Sequence, residues 1–506
     1  MTSRFTRRDF LKIAGLFPAS LSIPRGLPTV NKQESNYQNI IIIVFDSLSA
    51  LHLPFHGYAR ETLPNFNQFI ERSTVFHNHF ATAPHTTPST ISLLTGTHSW
   101  THRAFGFVSS PIERYFQRNL FSLFDQYHRV AYTHNHLVDF FLGNIRDDLE
   151  AYKPRQELFL EDFFSKNLFK RDYDFFSTIR RETINDYDGI THSLFFWKLY
   201  KLYWKYYTNE LREKFPRGFM DTEEKSKFIL ENATDWIMSE IPQLPEPYLC
   251  YFHFWPPHSP YNTRADFVDA FLEDGWRAKK KPYHTLQSGT SNKYALGKRR
   301  FYDEFILYVD AEFKRLYDHL EKQEVLENTW IIFTSDHGEM FERGFLGHTT
   351  PSLHQPVVRI PLLISAPGQR KRTDVYSHTS NIDVLPTLLH ISGQSKPAWV
   401  EGEVLPIFDG KRPNHDRSIF SLMASENLSN EPINVNSAMI IKDGYKLTRY
   451  FGYEQLNPGE ELVEFYNLEN DPEELENLGD LKSKAGIRDD LYAELNQIMK
   501  EADSQY

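Results

Sequence analysis

The sequence predicts an α/β fold with a doubly wound, mostly parallel central sheet and a small C-terminal antiparallel α+β subdomain. Long apolar, β-branched runs end in polar residues, as strands buried on both faces of a parallel sheet do. These runs alternate with amphipathic helical patterns, which indicates βαβ units. After about Pro397 the pattern changes to shorter segments separated by turn signals, which is typical of an antiparallel sheet.

Four segments are predicted to be strands of the central sheet. They are residues 39–48 (NIIIIVFDSL), 247–255 (PYLCYFHFW), 329–339 (TWIIFTSDHGE) and 359–365 (RIPLLIS). Ligands of such sheets bind beyond the carboxyl ends of the strands. The polar residues at or just past these ends are Asp46, His253, His258, Asp336 and His337. The sequence therefore predicts an active site at one edge of the sheet.

We expect three regions along the 506 residues. Residues 1–30 contain a twin arginine (Arg7, Arg8) followed by a short apolar stretch, which predicts a Tat-type export signal. Residues 38–395 are predicted to form the catalytic domain and residues 396–506 the C-terminal subdomain. The protein is expected in the periplasm or outside the cell, with an uncleaved N-terminal anchor left open.

A helical insertion rich in charged and aromatic residues is expected within the catalytic domain, at about residues 140–241. Its densest part, residues 193–207 (SLFFWKLYKLYWKYY), is interpreted as an amphipathic helix whose aromatic stripe packs on the body while its lysines face water. The alternative is a lid, or a surface that contacts lipid or glycan. Peripheral membrane contact therefore remains open.

In the C-terminal subdomain, residues 437–452 and 461–471 resemble two strands with turns at Asp443-Gly444 and Asn470-Asp471-Pro472, and residues 489–502 resemble a closing helix. The net charge of −11 argues against nucleic-acid binding, which requires a basic surface. The single cysteine, Cys250, excludes an internal disulfide.

Asp46, Asp336 and His337 are candidate ligands of one divalent metal ion. Two buried carboxylates at neighbouring strand ends would repel each other unless a cation lay between them. This oxygen and nitrogen set admits calcium, magnesium, manganese or zinc. The alternative is a loop in which the aspartate only caps a helix.

Thr86 opens the stretch TTPSTISLLTG and is the candidate nucleophile. An alcohol is a poor nucleophile at neutral pH unless a base or a metal lowers its pKa. If the stretch folds over the acid pair, the hydroxyl of Thr86 would lie beside the metal, at the start of a helix that can face an anion. The alternative is that TTPS only forms a capping box before an apolar helix.

These motifs resemble the sulfatase family of the alkaline phosphatase superfamily, over residues from about Asn39 to Asp480. The resembling segments, in order, are NIIIIVFDSLSA, LPFHGY, TLPNFNQFIERSTVFHNHFA, TTPSTISLLTG, PPHSPY, SDHGE, GHTTPSLHQPVVRIPLLI, HTSNIDVLPTLL and YNLENDPEELENL. The resemblance implies that Asp46, Asp336 and His337 bind the metal and that Thr86 occupies the nucleophile position. It also implies catalytic roles for His136 and His258, and contacts of His134 and His348 with the substrate.

The chain departs from that family at three positions. The second of two consecutive acids is Ser47, the signature arginine is Thr90, and the nucleophile is Thr86 instead of cysteine or serine. Threonine cannot be converted to formylglycine, so a covalent threonine ester must be opened by water attacking phosphorus or sulfur. Phosphate esters are therefore at least as plausible as sulfate esters.

The leading hypothesis is an exported, metal-dependent hydrolase of sulfuric or phosphoric esters of small molecules, glycans or lipids, without formylglycine and without nucleic-acid partners. Two alternatives remain open. The first is a transferase that passes a phosphoalcohol group to a glycan or lipid. The second is a binding protein that kept the fold but lost turnover.

Overall fold

An eight-stranded sheet lies at the centre of the molecule and is flanked by helices. The computed structural model describes residues 37–160, 192–222, 226–410 and 417–504. The predicted signal segment lies outside these ranges. The strands are β1 (Asn39–Phe45), β2 (Thr74–Phe80), β3 (His128–Thr133), β4 (Ala151–Tyr152), β5 (Met220–Asp221), β6 (Lys227–Phe228), β7 (Tyr248–Phe254), β8 (Thr329–Thr334), β9 (Leu362–Ser365), β10 (Thr373–Ser380), β11 (Ile419–Met423), β12 (Asn436–Lys442), β13 (Tyr445–Phe451) and β14 (Glu461–Asn467).

The α-helices cover both faces of this sheet and close the C-terminal part. In chain order they are α1 (Asn67–Ile70), α2 (Thr86–Thr95), α3 (Ser99–His102), α4 (Leu120–Leu123), α5 (His136–Asn144), α6 (His192–Tyr207), α7 (Asn209–Lys214), α8 (Leu230–Glu240), α9 (Asn292–Lys322), α10 (Gln355–Val358), α11 (Val384–Ile391) and α12 (Ala485–Ala502).

The central sheet has the strand order β10-β2-β9-β8-β1-β7-β3-β4. Its paired strands run parallel except at β9, which is antiparallel to both β2 and β8. The prediction of a mostly parallel sheet is therefore confirmed, and the four predicted strands are β1, β7, β8 and β9. The direction of β9 was not readable from its apolar run, because a strand buried on both faces has the same composition in either direction.

The apolar run of β1 supplies both faces of the sheet, since alternate side chains point in opposite directions. Ile41 and Ile43 belong to one buried cluster together with residues of α9. Ile40 and Ile42 belong to the other, with residues of α2, α5 and α11. This two-sided burial is the reason for the unbroken β-branched sequence of β1.

The C-terminal subdomain contains a four-stranded antiparallel sheet in the order β11-β12-β13-β14. Residues 437–452 contain the hairpin of β12 and β13, and its turn lies at Asp443 and Gly444 as predicted, with positive φ values of 49° and 73°. Helix α12 packs on this sheet through Leu491 and Leu495. Residues 36–506 form one compact unit that includes the subdomain.

The aromatic helix of the insertion is α6, and among its described side chains, residues 198–207, the aromatic stripe packs on the body only in part, which differs from our expectation. Trp204 reaches the core, whereas Leu202, Tyr203 and Tyr206 have exposed fractions of 64%, 60% and 85%. The helix has more large apolar side chains than one contact stripe can bury. None of the helices in the described ranges combines the length and the apolar character that crossing a bilayer requires.

Candidate active site

The two predicted acidic ligands meet at the carboxyl ends of adjacent strands. Asp46 directly follows β1, and Asp336 lies two residues beyond β8. The register pairs Val44 of β1 with Thr334 of β8, so both chains leave the sheet at the same level. Both aspartates are completely buried. Parallel pairing thus brings together two carboxylates that are 290 residues apart in sequence.

His337 completes a three-residue cluster with these acids. Its Nε2 lies 3.6 Å from Oδ1 of Asp46 and 3.4 Å from Oδ2 of Asp336. Its Nδ1 lies 3.0 Å from the carbonyl oxygen of Gly338, which can only accept a hydrogen bond, so Nδ1 carries the proton. The lone pair of Nε2 is therefore directed to the acids. One ligand atom from each of the three residues lies within 4.8 Å of the others.

The chemistry of this cluster fits a divalent cation. Burial raises the pKa of Asp336, and the nearby Asp46 carboxylate raises it further. Burial also disfavours the charge of Asp46, but the surrounding imidazoles, His258 first, outweigh it and lower the pKa of Asp46. Oδ2 of Asp336 is buried with no hydrogen-bond partner among the described residues. An unpartnered buried carboxylate oxygen beside an imidazole lone pair is the donor set that a cation would satisfy.

Thr86 lies at this cluster, as the sequence predicted. Its Oγ1 is 3.2 Å from Nε2 of His337, and its side chain is buried. Thr86 is the first residue of α2, and the N-cap is His85, which makes no side-chain capping hydrogen bond. The capping-box interpretation of TTPS is therefore wrong, because the threonine hydroxyl is directed to the cluster and not to the backbone of its own helix.

The start of α2 is fixed by hydrogen bonds to the loop that carries Asp336 and His337. The hydroxyl of Ser89 donates to the backbone carbonyl of Asp336. The side-chain amide of Asn381 donates to the hydroxyl of Ser89 over 2.9 Å. These contacts connect the helix that carries Thr86 directly to the strand end that carries Asp336.

His258 and His348 lie over the cluster. The ring centre of His348 is 4.3 Å from that of His337 and 4.8 Å from that of His258. Nδ1 of His258 donates to the carbonyl of Ser259 over 2.7 Å, which leaves Nε2 available. Burial, together with the nearby His258, lowers the pKa of His348 to about 3, so this ring is neutral at neutral pH. Nδ1 of His348 lies 3.3 Å from both oxygens of Glu339.

The remaining two predicted histidines differ in their placement. His136 begins α5 and is half-buried, with its ring centre 6.4 Å from that of Trp255, which lies 4.1 Å from the ring of His258. His134 is completely buried and stacks on Phe228 at 4.2 Å. Neither ring nitrogen of His134 has a hydrogen-bond partner among the described residues. The structure therefore brings His136 to the periphery of the site but places His134 within an aromatic cluster.

Asn135, which lies between these two histidines, is the residue of this segment that contacts the acidic cluster. Nδ2 of Asn135 donates to Oδ2 of Asp46 over 2.6 Å. Its Oδ1 accepts from the backbone N–H of Leu137, as an N-cap residue does. The sequence predicted that a polar residue just after β3 would reach the site. It did not show which of the three consecutive polar side chains this would be.

Three further residues at the site had no role in the sequence-based prediction. Ser47 donates its hydroxyl to Oδ1 of Asp46 over 3.0 Å, and Glu339 is completely buried against His348. His253, which we noted only as a polar residue near a strand end, lies 3.7 Å from both acids. The signal for His253 was its polarity within an otherwise apolar central strand.

Comparisons with known proteins agree with this architecture. A family model described as Sulfatase matches residues 38–394, and a second, described as N-sulphoglucosamine sulphohydrolase, C-terminal, matches residues 347–501. An uncharacterized sulfatase of Escherichia coli is 27% identical over 285 residues, which cover 54% of this chain and 54% of that protein. A choline-sulfatase of Rhizobium meliloti is 24% identical over 397 residues, which cover 74% of this chain and 72% of that protein. The chain spans about half the length of the first curated relatives it matches.

Solved structures share the fold over nearly the whole chain. The phosphonate monoester hydrolase of Agrobacterium radiobacter superimposes with a TM-score of 0.65 at 18% identity, covering 92% of this chain and 95% of that chain. A second structure, in complex with its substrate D-glucosamine-2-N,6-O-disulfate, gives a TM-score of 0.64 at 16% identity, covering 92% of this chain and 98% of that chain.

Proposed function

The chain belongs to the sulfatase family, and from this premise we propose that it is a metal-dependent hydrolase of sulfuric or phosphoric esters with Thr86 as its nucleophile. One observation carries the proposal: the hydroxyl of Thr86 lies 3.2 Å from Nε2 of His337, beside the buried pair Asp46 and Asp336. A threonine hydroxyl in contact with a metal-binding cluster is positioned for activation, which an ordinary helix-capping threonine is not.

Each residue of the site has a role in this reaction. Asp46, Asp336 and His337 would hold the divalent cation, which when bound supplies positive charge and Lewis acidity next to the anionic ester. Thr86 Oγ1 forms a bond to phosphorus or sulfur and releases its proton to solvent, while the bond to the leaving alkoxide breaks. That alkoxide takes its proton from Nε2 of His258 in the imidazolium form, whose Nδ1–H stays on the carbonyl of Ser259, and His348 contacts the non-bridging oxygens.

The second half of the reaction follows from the chemistry of threonine. The side chain has one hydroxyl, so the covalent ester on Thr86 cannot collapse by expelling its own oxygen from a geminal diol. Water must attack phosphorus or sulfur in line with Thr86 Oγ1, which then leaves as the alcohol. Because this route is the usual one for phosphate esters, we place phosphate monoesters and diesters on an equal footing with sulfate esters.

The substrate class and the location are part of the same proposal. One solved neighbour is in complex with a glucosamine disulfate and another with a neocarrahexaose, which supports an anionic small molecule or a glycan as the substrate here. The twin arginine at Arg7 and Arg8 supports export by the Tat route. Reporter-fusion secretion with and without Arg7→Lys and Arg8→Lys tests this part.

The decisive experiment is an ester survey with a matched pair of variants. Aryl sulfate, phosphate monoester, phosphodiester and phosphonate are assayed with added calcium, magnesium, manganese or zinc. On the best ester, Thr86→Ala should lose at least roughly 1,000-fold in kcat. Thr87→Ala is the control, because the hydroxyl of Thr87 donates to the carbonyl of Phe107 and not to the cluster. Full activity of Thr86→Ala would exclude the proposed nucleophile.

A second candidate function is transfer of the phospho-group to a lipid or glycan alcohol. The exposed face of α6 favours it, since Tyr203 and Tyr206 lie outside the core and Lys198 and Lys205 on the same helix are exposed. Hydrolysis and transfer are separated by running the best ester with vesicles that contain glycerol-headgroup lipid. A new lipid that carries the acid group of the ester indicates transfer, whereas release of the free acid or its monoester alone indicates hydrolysis.

A further inference from the structure

His253 lies beneath the acid pair and has no assigned role. It is the penultimate residue of β7, where the register pairs it with Val44 of β1 and with Thr133 of β3. Its side chain is completely buried. It therefore reaches the cluster from β7, a strand that supplies neither acid.

His253 approaches the same two acids as His337. Nε2 of His253 lies 3.7 Å from Oδ2 of Asp46 and 3.7 Å from Oδ2 of Asp336. Nε2 of His337 lies 3.6 Å from the other oxygen of Asp46, Oδ1, and 3.4 Å from Oδ2 of Asp336. Two ligands at right angles on one cation, with bonds of about 2.1 Å, are about 3.0 Å apart, so each atom needs to move by only a few tenths of an ångström.

The unsatisfied polar atoms of His253 and Asp336 indicate that an ion binds between them. Nε2 of His253 and Oδ2 of Asp336 are both buried without a hydrogen-bond partner among the described residues. At 3.7 Å they are too far apart to satisfy each other. Two such atoms that face one another are costly unless something binds both.

A second contact orients the ring of His253. The hydroxyl of Tyr251 lies 3.0 Å from Nδ1 of His253, on the side of the ring away from the acids. Metal-binding imidazoles usually donate their other N–H to an acceptor in this way, and when the Tyr251 hydroxyl accepts from Nδ1–H the lone pair of Nε2 is left for a cation. Ser47, by contrast, uses its hydroxyl to donate to Asp46. A fourth protein ligand is therefore better supplied by β7 than by the residue after Asp46.

We propose that His253 is a fourth protein ligand of the divalent cation, so that two imidazoles and two carboxylates hold it. This inference rests on the metal dependence in the proposed function, but not on the identity of the nucleophile. It adds a ligand that comes from inside a strand and not from a strand end.

The test counts imidazoles on bound manganese. The full-length protein is stripped with a chelator and titrated with Mn²⁺, and free Mn²⁺ is followed by electron paramagnetic resonance. Pulsed measurements of ¹⁴N coupling on the bound ion should show two imidazoles in the wild type and one in either His253→Ala or His337→Ala. His253→Ala should also weaken Mn²⁺ binding by at least roughly 100-fold, more than the loss of an outer contact in Tyr251→Phe.

The control is His79→Ala, which removes another completely buried imidazole, one that contacts Thr379 over 2.9 Å. It should keep both nitrogen couplings. If His253→Ala does not fold by circular dichroism, His253→Gln replaces it. Wild-type Mn²⁺ affinity and an unchanged nitrogen signal in the His253 variant would overturn the inference, as would the absence of bound Mn²⁺ in the wild type. Full activity of Thr86→Ala would refute the nucleophile and leave the ligand count intact.

Discussion

Replacing Gly338 with alanine should disable the site by moving the loop that carries His337. A Cβ at this position would lie 2.1 Å from the carbonyl oxygen of Pro356 and 3.2 Å from Cβ of Ser49. The backbone of Gly338 is not in the left-handed region, so alanine adds no strain of its own there. The effect of the substitution is therefore steric, first the collision with Pro356 of α10 and then the tighter contact with Ser49.

The size of the effect follows from that distance. A carbon and a carbonyl oxygen approach each other to about 3.3 Å, so the loop and α10 must separate by about 1.2 Å. The hydrogen bond from Gly338 N–H to the carbonyl of Val357, 2.7 Å long, would be stretched by the same movement. A displacement of about 1 Å at a catalytic group can cost roughly 100-fold in rate, or about 2.7 kcal/mol of transition-state stabilisation.

The assay is kcat/KM on the best ester together with Mn²⁺ affinity, for Gly338→Ala and a matched glycine variant. Gly297→Ala in α9 is the control, because its Cβ would meet no atom within 4 Å and alanine favours a helix. We expect loss of both quantities in the first variant and neither in the second. Wild-type kcat/KM and affinity in Gly338→Ala would show that the close packing against α10 does not position the site.

Three further results are expected. Glu339→Ala should raise KM by roughly tenfold with a smaller change in kcat, because both Glu339 oxygens lie 3.3 Å from Nδ1 of His348, and Glu339→Gln, which keeps an acceptor, should stay nearer the wild type. Burial raises the pKa of Asp310 to about 7, so the folded protein binds this proton more tightly than the unfolded chain does, and stability should fall as the pH rises from about 4 to about 7. Thermal unfolding at about pH 5 and about pH 8 should show a smaller fall for Asp310→Asn. Chelator treatment should lower the melting temperature and Mn²⁺ should restore it, because the cation offsets the repulsion between Asp46 and Asp336, and Asp336→Ala should abolish that response.

Much of the site could be predicted from the sequence because the ends of buried strands can be recognised in it. An apolar run that stops at an acid marks the carboxyl end of a buried strand, and parallel strands bring such ends to one edge. Asp46 and Asp336 were predicted in this way, and the structure places them together. Thr86 followed from a different signal, a hydroxyl pair and a proline at the start of a helix.

Other features depended on choices that composition does not encode. His134, Asn135 and His136 are consecutive polar residues, and their composition does not show that Asn135 is the one that contacts Asp46. The exposure of side chains on α6 could not be predicted either. An aromatic stripe has the same sequence pattern whether it packs on the body or faces solvent.

The sequence by itself determined the sheet-forming segments, the two acids and His337, since each is a local pattern that ends at a fixed point of a strand. The sequence also placed His253 at this edge, whereas the tertiary structure alone decided that its Nε2 lies beside both acids, that Asn135 joins them and that His134 does not. These side chains lie on or beside β3 and β7, and their direction depends on the register between neighbouring strands, where a shift of one residue exchanges the two faces of a strand.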